Sequence, residues 1–397
     1  MAPARRISVT HILTRPELGG AQANTLHTVR SLDRERFSPS LITSPDGPLA
    51  GDAAAIEGAE VVFVSNLVRE IRPGRDWRAA RQIRRLLTVL APDVVHTHSS
   101  KAGILGRWAA HRAGVRSIVH TVHGFPFHDH QPAPARRLYI GLERLAARHT
   151  DRFICVSRAD VAKGERHRIF PPGRSVLIRS GIDLSAYREA CGTGKALRKD
   201  LGIPADAPLV GMVACFKPQK DPVAFVRMAA GVRRHRPDVY FLMVGDGELR
   251  MAVETARLDE ALGDRLVLAG WRRDIPAVMD ACTVLVLTSK HEGLPRVVPE
   301  AMACGRPVVA TAVDGTPEAV DEGVTGHLVT PGDVRALVAR TLDLLAAPDV
   351  ARRMGAAAAT RVTEFDIDRM VRQQEDLYTE LAAPDRVRPE ETSHVRC

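Results

Sequence analysis

Short β-branched runs separated by helix-length amphipathic segments fill the first half of the chain, at residues 7–13, 40–43, 61–64, 94–97, 117–121, 153–156 and 176–178. Strands that alternate with helices in this way build parallel sheets covered on both faces. A polar stretch at 181–208, with Gly192, Gly194, Gly202, Pro204 and Pro208 among mixed charges, then interrupts the pattern and predicts a hinge. A second series follows at 209–214, 239–244, 266–268, 283–287 and 307–310, so the chain reads as α/β, two doubly wound domains in tandem. Beyond Pro331-Gly332 the pattern is wholly helical, and in the last segment Met370, Val371, Leu377 and Leu381 recur at roughly helical spacing. The expected division is a first domain at 1–185, a second domain at 186–364 and a helix at 365–385 crossing back to the first domain. Ligands of open α/β sheets lie beyond the carboxyl ends of the strands, so two facing domains would enclose a cleft.

Composition narrows the class. With 45% hydrophobic residues, 397 residues can bury two cores. No stretch approaches the roughly 20 apolar residues of a membrane span, and the start of the chain lacks a signal-peptide core, which predicts a cytoplasmic protein. The six cysteines form no C-x-x-C pair, arguing against a zinc cluster or a disulfide framework. Residues 1–185 hold 28 Lys+Arg against 16 Asp+Glu, whereas the remainder holds 28 against 31. A one-sided basic domain suits an anionic partner. Arg69, Arg72, Arg75, Arg78, Arg81, Arg84 and Arg85 concentrate that charge, in a pattern that fits either the anionic inner face of a membrane or a solvated helix. Nucleic acid is not expected, because aromatics are only 4% and no stacking motif appears.

The strongest motif spans 289–311 and places Glu292 and Glu300 eight positions apart, one in a loop and one in the helix expected to open near Pro295. Carboxylates so spaced reach different parts of an extended ligand, which favours hydroxyl recognition over an acid/base pair. Gly293 lets backbone N–H groups approach the ligand. A second motif, 211–221, ends a strand in a Pro-containing turn carrying Lys217 and Lys220. Cys215 in that turn has no companion base and reads as a passive thiol. Gly19-Gly20 follows the first strand and opens a helix. His96, His98, His120 and His123 lie near strand ends; they could ligate zinc, but side chains alternate across a strand, so the four need not converge. Asp366-Ile-Asp368 reads as a helix cap.

The Glu-x7-Glu motif with the following Gly305-Arg-Pro-Val-Val309 resembles family 4 of the retaining glycosyltransferases, which have the GT-B fold, and the resemblance runs from residue 5 to about 382. It implies a retaining, metal-independent hexosyltransferase without cofactor. By carry-over, Glu300 binds the donor ribose, and Glu292 with Gly293 and Leu294 holds the transferred sugar. Lys220, with Lys217, supports the leaving diphosphate; Cys215 stands where the family often has Arg. Gly20 joins the donor site. His123 stabilises the sugar near its reacting carbon, with His120 in reserve. Gly19, His98, Lys101, Arg107 and His120 are the acceptor-side candidates; the segment 99–107 is similar to that of members working on lipid carriers. The expected donor is a UDP-sugar, with GDP next. The expected acceptor is a glycan, a lipid-linked sugar or a small aglycone. An epimerase-like GT-B enzyme and a non-catalytic sugar-nucleotide binder are the alternative readings.

Overall fold

The computed structural model describes residues 5–129 and 131–383. The first sheet contains β1 (Ile7–Ile12), β2 (Phe37–Thr43), β3 (Glu60–Phe63), β4 (Val94–His98), β5 (Ser117–Val122), β6 (Arg152–Cys155) and β7 (Ser175–Leu177), in the order β3-β2-β1-β4-β5-β6-β7. The second contains β8 (Leu209–Val213), β9 (Tyr240–Val244), β10 (Leu266–Leu268), β11 (Val284–Leu287), β12 (Val308–Thr311) and β13 (Gly326–Val329), in the order β10-β9-β8-β11-β12-β13. Every pairing is parallel. In each sheet the order reverses beside the first strand, opening a crevice at β1/β4 and at β8/β11.

Helix placement follows the apolar spacing. The helix Pro73–Leu90 starts on proline, whose missing N–H is one the first turn leaves unpaired anyway, and Asp76 accepts the Arg72 N–H at 3.0 Å. It buries Ala79, Ala80, Ile83 and Leu87, one face of a 3.6-residue repeat, and stops at Ala91 in the left-handed conformation before Pro92. Those residues share a core with Ile12, Ile42 and Val95 of the sheet and with Ala102, Ala109 and Ala110 of the helix Ser100–Arg112.

The opposite sheet face is covered in part by the helix Ile367–Ala382, whose Ile367, Met370, Val371, Leu377, Tyr378 and Leu381 pack with Val9, Val94, Val119 and Ile154. The chain therefore returns to the first domain at its end. Asp366 caps this helix by accepting the Asp368 N–H at 3.0 Å. The two crossings between domains run side by side: the Ile182 N–H donates to Phe365 O at 2.8 Å and the Ile367 N–H to Ile182 O at 3.0 Å. A Cβ on Gly181 would lie 2.4 Å from the Ile367 Cα, so only glycine allows this approach.

Three local expectations shift. β2 begins at Phe37, so Pro39 lies inside the strand opposite Val9. The polar stretch after 183 is folded rather than loose, as helices Leu184–Glu189 and Gly194–Asp200. Arg198 ties it to the second domain by donating to Ala281 O and to carbonyls of 204–207. The motif helix opens at Val297, two residues after Pro295. Residues 384–385 of the expected terminal helix lie outside the described residues.

Candidate active site

On the second domain, the turns after β8 and β11 are fastened to each other across the crevice. The Lys290 N–H donates to Gln219 O at 2.8 Å, Gln219 Nε2 donates to His291 O at 2.9 Å, and Thr288 Oγ1 donates to Lys220 O at 2.8 Å. This clamp puts the Lys220 ammonium on Glu292 as an ion pair. Glu292 is 7% exposed, accepts Ser289 Oγ–H at 2.6 Å, and its own N–H donates to Asp314 Oδ2 at 2.9 Å. Lys217 is half-buried beside Cys215, whose thiol burial holds above its ordinary range. Glu300 occupies the first turn of Val297–Ala303, 3.5 Å from Arg296 Nη2. Burial pushes its carboxyl up, and Arg296 and the Tyr187 hydroxyl pull it back.

The first domain meets these loops partly through backbone and partly through side chains, with His128 stacked on His291 at 4.2 Å. A Cβ on Gly293 would lie 2.5 Å from His123 O and 2.8 Å from Gly124 N, so the loop after β5 and the loop after β11 touch backbone to backbone. Leu294 beside it is buried in the second domain's core. Arg296 crosses the cleft and donates to Gly20 O at 3.4 Å, and a Cβ on Gly20 would meet its Cδ at 2.9 Å. Gly19 is the exposed residue before the helix Gly20–Ser31. Lys163 with Asp314 (3.4 Å) and Arg179 with Glu318 (2.9 Å) hold the two domains together beside this point. Ser99, Asp221 and Asp314 have φ of 61°, 46° and 41° at the same crevices, strain of the kind that clusters at functional sites.

Behind His123 lies a histidine ladder. His11 on β1 stands opposite His96 on β4, and His98 follows on the same face. His11 Nδ1 is 3.0 Å from His98 Nε2, and His98 Nδ1 is 3.4 Å from His123 Nε2. His96 bonds Tyr378 Oη at 2.6 Å and Thr121 Oγ1 at 2.7 Å. Burial holds His11 at about 3 and His123 at about 4, and keeps His96, His98 and His120 well below the imidazole range, so all five rings are neutral.

The structure brings His123, Lys220, Glu292, Gly293, Leu294, Glu300 and Gly20 to one cleft, and it withdraws four acceptor-side candidates from it. Arg107 is fully buried and paired with Glu143 at 2.7 Å, so it braces two helices and cannot meet an acceptor phosphate. Lys101 is committed to Asp76 and the Glu70 carbonyl, which fastens the Ser100 helix to the loop before Pro73. His120 faces the other side of the sheet, 2.9 Å from Thr97 Oγ1 and beneath Gly103. His98 is buried within the ladder, not exposed to an acceptor. His11, His96 and His98 bring ring nitrogens within 4.8 Å of one another, close enough to share a metal ion, a set different from the four histidines read in the sequence. Their nitrogens are already bonded to one another, to Tyr378, Thr121 and His123, except His11 Nε2.

Arg296 and Tyr187 were missed. Arg296 falls inside the motif as an apparent solvated helix residue, and its reach to Gly20 depends on the domains facing each other. Tyr187 lies in the stretch read as hinge.

The chain matches the family model described as Glycosyltransferase Family 4 over residues 18–186 and that described as Glycosyl transferases group 1 over 207–347. It is 32% identical over 380 residues to the UDP-Gal:alpha-D-GlcNAc-diphosphoundecaprenol alpha-1,3-galactosyltransferase of Escherichia coli, covering 95% of this chain and 97% of that one. It is also 32% identical over 305 residues to a D-inositol 3-phosphate glycosyltransferase of Streptomyces scabiei, covering 72% of this chain and 68% of that one. The Anabaena protein HepE, solved with UDP-glucose, superposes with a TM-score of 0.81 at 21% identity over 94% of this chain and 100% of that chain, which establishes the shared GT-B fold. With the paired Rossmann-like sheets, the Glu292/Glu300 motif at their crevice and an end-to-end match to a galactosyltransferase, the chain belongs to the family 4 glycosyltransferases and uses a nucleotide-sugar donor.

Proposed function

We propose that this glycosyltransferase moves a hexose from a UDP-sugar to a sugar carried on a lipid diphosphate, retaining the anomeric configuration and using no metal. The observation that carries the reading is the meeting of Lys220, Glu292 and the Gly293 backbone with His123 at one point between the domains. A donor lying along the β8/β11 crevice would place its ribose at Glu300, its diphosphate near Lys220, Lys217 and Arg296, and its hexose between Glu292 and His123. Both motif carboxylates are ion-paired, Glu292 with Lys220 and Glu300 with Arg296. The leaving phosphate oxygen then takes the acceptor proton while the cations stabilise its charge. UDP and the lipid diphosphate are favoured by the end-to-end similarity to the Escherichia coli enzyme, whose name specifies both.

The acceptor implies a bilayer. Among the described residues no helix is long and apolar enough to cross one. The helix Pro73–Leu90 and the loop before it expose Ile71 (68%), Trp77 (57%) and the arginines 72, 78, 81, 84 and 85, a composition suited to lying on the anionic inner leaflet. Flotation with anionic but not neutral vesicles, weakened in Trp77→Ser, is the expected outcome.

The deciding experiment measures transfer in EDTA from UDP-, GDP- and ADP-sugars to a polyprenyl-diphosphate-linked N-acetylhexosamine, with Glu300→Ala as control. Product from one UDP-sugar, of retained configuration and absent in the variant, is expected. Binding without transfer to any acceptor would replace this reading with the non-catalytic one.

A further inference from the structure

The inner end of the histidine ladder fixes which way its hydrogen bonds run. His11 Nε2 is sealed in the core without a partner. A neutral imidazole carries one N–H and one lone pair, so the chain His11–His98–His123 has two possible directions. In one, His123 Nε2–H donates to His98 Nδ1, His98 Nε2–H donates to His11 Nδ1, and His11 is left with a buried, unanswered N–H on Nε2. In the other, His11 Nδ1–H donates to His98 Nε2, His98 Nδ1–H donates to His123 Nε2, and only a lone pair on His11 is unanswered. Orphaned N–H groups in protein interiors are rarer than under-used acceptors, which selects the second direction.

The consequence reaches the cleft. His123 is half-buried and its Nδ1 has no protein partner among the described residues. With Nε2 accepting from His98, the ring proton is on Nδ1. We propose that His98 and His11 are positioning residues that hold His123 in the Nδ1–H form, so that it offers the cleft a hydrogen-bond donor and has no lone pair there with which to accept a proton. Given the reading that the hexose lies against His123, this makes the ring a donor to a sugar oxygen and leaves deprotonation of the acceptor to the departing phosphate. Mechanistically, the ladder converts an interior packing constraint into hydrogen-bond polarity at the site.

The first test needs no substrate and so stands apart from the assignment of donor or acceptor. Long-range ¹⁵N–¹H correlation spectra of the histidine-labelled enzyme at pH 7.5, assigned by difference with His98→Asn and His123→Gln, report each tautomer. Nδ1–H on both His98 and His123 is expected; Nε2–H on either overturns the proposal. Stoichiometric metal in the purified protein, with the lone pairs of His11, His96 and His98 engaged, overturns it equally. The second test is kinetic. His98→Leu, which fills the space without a donor, should lower kcat about tenfold, the order of one hydrogen bond, with UDP affinity unchanged. His98→Asn, whose amide can still donate to His123, should recover most of that loss. Unchanged turnover in His98→Leu, or an equal loss in both variants, would show that only the shape of the ring matters.

Discussion

Lowering the pH from 7.5 to 5.5 should destabilise the first domain, because the unfolded chain gains protons on histidines that the fold keeps neutral. Burial holds His11 at about 3 and His123 at about 4, and keeps His96, His98 and His120 well below the ordinary imidazole value of about 6.5. These folded values are depressed, so below 6.5 the unfolded chain binds more protons than the native one. The stabilisation is complete above about pH 7.5 and is lost as pH falls through 6.5 toward the folded values. At pH 5.5 a ring held below that pH contributes a loss of about 1 kcal/mol, and the set together several kcal/mol, a large share of the stability of a typical domain. Asp160 acts oppositely: burial pushes it up to about 7, so its penalty grows between the ordinary aspartate value of about 3.9 and about 7, and acid relieves it. One carboxyl offsets about one of five imidazoles over this range. Urea unfolding followed by circular dichroism across pH 5.5–8 measures the slope. His120→Leu, outside the cleft, should shrink the difference between pH 7.5 and 5.5 by about 1 kcal/mol. A wild-type slope below that of one proton, or no change in the variant, would refute the claim that these rings are neutral in the fold.

Three further outcomes follow from the same contacts. Lys220→Ala strands the buried Glu292 carboxylate and removes a cation from the proposed diphosphate position, and steady-state kinetics should show a kcat loss of about 10²–10³. Arg107→Ala leaves Glu143, only 2% exposed, as an unpaired interior charge and should cost about 3–5 kcal/mol in urea unfolding. Gly293→Ala introduces a Cβ 2.5 Å from His123 O, so small-angle scattering should show a more open molecule with UDP binding retained and turnover lost.

The fold was legible because both sheets are buried on two faces, which leaves continuous apolar runs separated by amphipathic helices. The run that marks β2 starts at Ser40, whereas the strand begins at Phe37 and carries Pro39 opposite Val9. The stretch after 183 looked like linker because Arg198 and its neighbours are polar, whereas Arg198 serves as an internal clamp on carbonyls that spacing does not reveal. In the site, the second-domain residues were readable from one contiguous motif. First-domain candidates fared worse, since Arg107 and Lys101 carry the charge an acceptor phosphate would want but spend it on Glu143 and Asp76. Deciding between those uses requires knowing which side of the Ser100 helix faces the core. His11 gave no local signal at all; its place opposite His96 follows from strand register.

The ladder divides into two branches that one substitution can separate. His96 is bonded to Tyr378 and Thr121, not to His98, although the rings of His96 and His98 lie 4.1 Å apart. Tyr378 belongs to the returning C-terminal helix, is fully buried and also reaches Gln374. Tyr378→Phe keeps the ring and removes the hydroxyl that answers His96 Nδ1. The cost should be that of one buried unsatisfied group, about 1–3 kcal/mol, read as a lower Tm. Turnover at 25 °C should stay near wild type, because the His11–His98–His123 branch is intact. A large fall in kcat without a fall in Tm would mean that the terminal helix acts on the cleft through His96 itself, and that the two branches are one.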